Sequence, residues 1–151
     1  AFADKDPANK AAYKANASAY STRLDGLKKW AKQRISALPS GNRKLATSHL
    51  SMGYFAKEFG FKLVPVQGLS HEVSATSKEM TAALDTIRTQ KILAIFPEKG
   101  VNPKYLRELA KETGVKIGPE LISDGNGTGK QGTFEAAFTY NVEQICTALQ
   151  P

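Results

Sequence analysis

From residue 43 onward, short apolar runs alternate with amphipathic helical patterns. That alternation constrains the fold more than any other feature of the chain. The runs at 44–48, 62–67, 92–96 and about 115–122 read as strands, the last interrupted at Gly118-Pro119. Between the first two, Met52, Phe55 and Phe59 form the inward face of a short helix that Gly60 stops. A further helix starts near Thr76, where Thr76 and Glu79 have capping-box spacing, and turns Met80, Ala83, Leu84 and Ile87 inward. Asn102-Pro103 opens the next, which carries Leu106, Leu109 and Ala110 and ends at Gly114. The last helix carries Phe134, Phe138, Val142, Ile145 and Leu149. Strand–helix alternation with short loops implies right-handed crossovers. The expected fold is therefore α/β: a four-stranded parallel sheet with helices on both faces.

A long helix precedes this unit. Asp6-Pro7 places a carboxylate at the cap and Pro at the first helical position. Tyr13, Ala17, Tyr20, Leu24, Leu27, Ala31, Ile35 and Leu38 then recur at 4-3-4-3 spacing, one apolar stripe along a helix over 7–37. At 1.5 Å per residue it would run roughly 45 Å, more than a small domain needs. The segment 38–42 stops it. The expected organisation is a backbone helix with its connector over 1–41 and an α/β unit over 42–151.

The 151 residues, 41% hydrophobic and 23% charged, suit one soluble domain with a real core. No stretch approaches the roughly 20 apolar residues of a membrane span, and no signal-like segment opens the chain. The net charge of +7 raises the question of nucleic acid. The basic residues, however, lie mostly along the long helix, at Lys10, Lys14, Arg23, Lys28, Lys29, Lys32 and Arg34, with few aromatics among them to stack bases. This reads as a solvated helix face, and no nucleic-acid partner is expected. Cys146 is the only cysteine, which excludes an internal disulfide and a cysteine-based zinc cluster. It lies four residues after Val142 and three before Leu149, so it is expected to be a buried, reduced packing residue.

Ligands of open parallel sheets bind outside the carboxyl ends of the strands. Those ends carry Ser48-His49, Ser70-His71, Glu98 and Ser123-Asp124. Imidazole and carboxylate groups on one rim suit zinc or manganese better than copper(I) or an iron–sulfur cluster. Each residue also has a plainer reading. His49 alone would pass as a hydrogen-bonded loop residue, Asp124 before Gly125 as a turn former, and Glu98 as the partner of a lysine or the cap of a helix. The run GNGTGK fails as a phosphate loop, because Asp124 and Gln131 stand where that motif needs Gly and Ser or Thr.

Longer motifs narrow the choice. NRKLATSHLSMGYFAKEFGF resembles the segment of the cluster A-I metal-binding receptors in which an R-K-x-x-T-S-H strand runs into a G-Y-F-A helix. GLSHEVSATSKEM resembles their next loop and helix start, AIFPEKGVNPKYLRELAKETGVKIGPELISDGNG their third strand, following helix and S-D-x-x-G loop, and TFEAAFTYNVEQICTAL their last helix. DPANKAAYKANASAYSTRLDGL resembles the long helix that joins their two lobes. The resemblance covers almost the whole chain and implies one lobe of a two-lobed binding protein that feeds an ABC importer. In that family one metal ion sits between the lobes, with two histidines from the N-terminal lobe. The carry-over gives His49 and Asp124 as the metal ligands of the C-terminal lobe. Glu98, His71 and Ser48 become residues that support the site or the fold around it. Leu50 stands where the family often has Asp, and His71 where many members have Thr.

The expectation is thus a receptor and not an enzyme. Its cargo is Zn2+ or Mn2+, held weakly or not at all by this part alone. Its partners are the membrane permease and the N-terminal lobe, which this chain lacks, and its location is periplasmic or lipid-anchored outside the cytoplasm. The face left open by the missing lobe offers a surface for a homodimer. Two other classes stay open: a metal-dependent hydrolase on a doubly wound sheet, with Glu98 as its one obvious base, and a domain that binds a protein without metal.

Overall fold

Four parallel strands lie at the centre of the structure, a computed structural model that describes residues 2–48, 50–66, 77–100, 102–125 and 127–150. They are β1 (Lys44–Thr47), β2 (Lys62–Pro65), β3 (Ala94–Phe96) and β4 (Lys116–Ile117), in the order β2-β1-β3-β4. The register pairs Lys44 with Lys62 and Thr47 with Pro65 on one side of β1, and Thr47 with Phe96 on the other. Ile95 pairs with Ile117. The central strands are covered on both faces, which is why Leu45, Ala46 and Thr47, and all of β3, are buried. At the edge, Lys116 and Ile117 are exposed.

The helices are α1 (Phe2–Lys5), α2 (Lys10–Ser36), α3 (Gly53–Phe59), α4 (Ser77–Thr89), α5 (Lys104–Thr113) and α6 (Phe134–Leu149). Alternate residues of each strand face opposite ways, and two cores result. On one face Leu45, Ala94 and Phe96 meet Ala31, Ile35, Phe59, Ile145 and Leu149 of α2, α3 and α6. On the other, Ala46, Val64 and Ile95 meet Ala83, Ile87, Leu106 and Leu109 of α4 and α5. The sheet covered on both faces is thus the one expected from the alternation.

Details differ from the sequence reading. The long helix begins at Lys10, after a 3-10 turn at Pro7–Asn9. Asp6 does not cap a backbone N–H there. Its carboxylate accepts from Asn9 Nδ2 at 2.8 Å and Tyr13 Oη at 2.9 Å. Within α2 only Ala31 and Ile35 are buried, because only its last turns reach the core, and Tyr13 at the start of the stripe is exposed. Three of the basic residues of α2 hold it to its neighbours: Lys28 and Lys32 both pair with Glu58 of α3, and Arg34 makes a two-pronged contact with Glu143 of α6. Phe134 does not point into the core. It starts α6 and is half exposed, stacked on Phe138, and the buried face is Ala137, Asn141, Val142, Ile145, Cys146 and Leu149. The predicted capping residue Thr76 lies outside the described residues. Among the described residues no helix is long and apolar enough to cross a membrane.

Candidate functional site

The strand order 2-1-3-4 changes direction between β1 and β3. In such sheets the connections leave in opposite directions at that point, and the crevice opens beyond the strands' carboxyl ends. The loops that follow β1 and β3 therefore border the natural ligand position.

After β1 comes Ser48, buried, with a hydroxyl that has no hydrogen-bond partner among the described residues. His49 lies outside the described residues. The chain continues in a 3-10 turn, Leu50–Met52, that sends Met52 into the core and leaves Leu50 exposed. After β3 comes Glu98, a carboxylate with no solvent exposure. Its side chain accepts a hydrogen bond from Ser51, two residues past His49. Its main chain bridges in parallel fashion to Leu121. Glu98 thus links the segment after β1 to the segment after β4. Asn102 opens the helix that follows, its Oδ1 accepting from Lys104 N–H at 3.0 Å.

The fourth strand breaks where the Gly118-Pro119 pair indicates. Gly118 N–H still donates to Ile95 O at 2.8 Å, and the chain rejoins the sheet at Leu121, whose N–H donates to Pro97 O while its carbonyl accepts from Lys99 N–H, both at 2.8 Å. Ser123 and Asp124 follow, Asp124 exposed, and Gly125 turns the chain with φ +66°. Asp124 therefore leaves from the same carboxyl edge as Ser48 and Glu98. His71 lies outside the described residues, but the exit of β2 towards it is fixed: Tyr105 Oη donates to Val66 O at 3.1 Å.

Of three residues that brace these segments by hydrogen bonds, two leave no trace in the sequence and one does. Ser51 looks like any loop serine. Tyr105 reads as one more helix residue. Asn141 gives a signal, since a polar residue on the buried stripe of α6 is the informative exception in such a stripe. Its amide accepts from Ile122 N–H at 2.9 Å and donates to Ile122 O at 2.8 Å. A groove of about 400 Å³ between α3 and α6 runs beside this loop, bordered by Ser51, Phe55, Ile122, Ser123 and Asn141. Among the described residues no three His, Cys, Asp or Glu side chains form a metal-holding cluster. Of the predicted site residues, the rim there carries an exposed carboxylate, Asp124, and a buried one, Glu98.

A family model described as zinc-uptake complex component A, periplasmic, matches residues 1–148. The manganese-binding lipoprotein MntA of Bacillus subtilis is 35% identical over 156 residues, an alignment covering 99% of this chain and 51% of that protein. The iron-binding protein YfeA of Yersinia pestis is 32% identical, with 96% and 47% covered. The zinc-binding protein TroA of Treponema pallidum is 33% identical, with 87% and 45% covered. The solved structure of TroA, a periplasmic zinc-binding protein, superposes with a TM-score of 0.89 at 29% identity over 99% of this chain and 57% of that one. The chain spans about half the length of the curated relatives it matches.

Proposed function

This chain belongs to the zinc-uptake complex component A family, and from that premise we propose that it is the C-terminal lobe of a receptor that captures a divalent transition metal and delivers it to an ABC permease. In this reading the protein works outside the cytoplasmic membrane, free in the periplasm or tethered by lipid, and it is a binder and not a catalyst. Residues 1–41 serve as the backbone helix between lobes and 42–151 as the metal-binding unit. Relatives named for binding manganese, zinc and iron match at nearly the same identity, so the cargo class is a first-row divalent ion. Nothing in the rim or the comparisons favours a hydrolase.

The observation that carries the reading is the link through Glu98 at the switch point. It fastens the turn that follows His49 to the strand end that precedes Asp124. A carboxylate and an imidazole contributed by the segments after β4 and β1 would make half of a four-ligand site of the kind zinc prefers. His49 and Asp124 are the ligands in this reading, and Glu98 fixes their loops without touching the metal. Ser48, whose buried hydroxyl has no acceptor among the described residues, is open to a group in the site. His71 shapes the neighbouring loop.

The test is metal analysis and calorimetry on the full-length receptor. It should bind one zinc or manganese ion, and His49→Ala and Asp124→Ala should each weaken binding by at least about tenfold, a minimum for losing a direct ligand when loss of an outer partner already costs 10–100-fold. Unchanged affinity in both variants would remove the reading.

A further inference from the structure

We infer that Asn141 is a positioning residue for the metal-ligating carboxylate: its side-chain amide fixes the loop from which Asp124 reaches the ion. This rests on the reading of Asp124 as a ligand and adds to it a residue that lies on a different element.

The main-chain ladder of the sheet ends at Leu121. Beyond it the loop has no strand partner among the described residues, yet Ile122 has both of its main-chain groups satisfied. Asn141 supplies an acceptor to its N–H at 2.9 Å and a donor to its carbonyl at 2.8 Å. A primary amide presents donor and acceptor side by side, so it imitates the edge of one more strand. The side chain is 6% exposed and projects from the interior of α6, where Val142 and Ile145 next to it are fully buried. Its anchor is therefore rigid. Asp124 sits two residues beyond the anchored peptide, is itself exposed, and is followed by a left-handed Gly125. Without the clamp, the last fixed point of the loop retreats to Leu121. A carboxylate on a longer free tether binds a metal less tightly, since ordering it must then be opposed by the binding energy. Pure packing would not choose an amide here, because an apolar side chain of similar size would fill the same space without needing partners.

The test uses the full-length receptor. Zinc affinity is measured by competition, and the geometry of the ligands by the visible spectrum of the Co2+ form. Asn141→Leu should weaken zinc by about 10- to 100-fold, the usual cost of removing a group that orients a ligand, and should change the Co2+ spectrum. Asn141→Asp keeps the contact with Ile122 N–H and loses that with the carbonyl, so its loss should be smaller. Added to Asp124→Ala, Asn141→Leu should cost nothing more, because its effect passes through the missing carboxylate. Asp124→Ala alone reports on the ligand assignment: if it leaves affinity unchanged, the proposed site is wrong whatever Asn141 does. If Asp124→Ala weakens binding while both Asn141 variants bind normally with unchanged spectra, the inference is overturned and the site stands. An additive loss in the double variant, or failure of both Asn141 variants to fold, would also overturn it, making Asn141 a residue of general stability.

Discussion

At Gly118 the chain passes so close to the ring of Phe96 that a Cβ built there would lie 2.6 Å from two of its ring carbons. Phe96 is fully buried in the core shared with α2, α3 and α6, where close packing resists movement of the ring. Gly118→Ala is expected to lower stability by about 1–3 kcal/mol, as overpacking of a filled core does, and urea unfolding monitored by circular dichroism measures it. A loss below about 0.5 kcal/mol, the range of an ordinary surface change, would mean the ring yields freely. Cys146 makes the opposite kind of case. It is fully buried and free, and burial raises its thiol pKa, which disfavours the reactive thiolate. A thiol reagent should therefore label it only as fast as the protein opens; rapid labelling of the native chain would contradict this. Both residues are legible in the sequence, one as a strand breaker and the other by helical spacing. Ser51 is not legible, because its hydrogen-bonded partner is 47 residues away and spacing along a single element carries no trace of such a pair; Asn141 shows only as a polar residue on a buried stripe, its partner 19 residues away equally hidden.

Two carboxylates that join elements to α2 contribute to the acid response. Glu58 of α3 receives both Lys28 and Lys32 of α2 at 2.8 and 2.9 Å, and the hydrogen bonds from these two lysines bring its pKa down from 4.5 to about 2. Glu143 of α6 is held below the usual carboxylate range by its hydrogen bonds from Arg34. A carboxylate with a depressed folded pKa stabilises the fold above its unfolded pKa and loses that contribution as pH falls through the folded value. For Glu58 the window is therefore from about 4.5 down to about 2. Glu58→Gln should melt lower than the parent at neutral pH, with the gap closing as pH drops through this window. The gap should also shrink in high salt, since these side chains are largely exposed. A gap that stays constant with pH would show that packing and not charge joins α3 to α2. At this scale the sequence is informative about order and type: every strand and helix of the sheet unit appears where the alternation places it. It is less informative about ends. β4 keeps only two residues of the apolar run because Gly118-Pro119 breaks the ladder, and Phe134 turns outward because the first turn of α6 lies beyond the core.

At the scale of the whole molecule, the described core closes over the sheet while most of the α2 stripe stays outside it. Tyr13 is exposed and Tyr20, Leu24 and Leu27 are only partly covered, although their spacing is that of a buried seam. In our reading that seam and the rim above β1 and β3 face the second half of the receptor, consistent with a chain that spans about half the length of its curated relatives. A zinc site of about four ligands would then draw only His49 and Asp124 from these residues, with the remainder supplied elsewhere. Affinity for a first-row ion depends on the number and preorganisation of its ligands, so this 151-residue chain should bind zinc far more weakly than the full-length receptor. The difference can be read as thermal stabilisation, since a ligand that binds only the folded state stabilises it by RT ln(1 + [L]/Kd), about 2.7 kcal/mol at one hundred times Kd. At a zinc concentration giving the full-length protein that increment, the melting temperature of this chain should barely move. His49→Ala should abolish most of the increment in the full-length protein and change nothing measurable in the lobe. Equal stabilisation of the two would mean that the site is complete within these residues. Glu98 or His71 would then have to be a direct ligand, and the assignment of only His49 and Asp124 would be wrong.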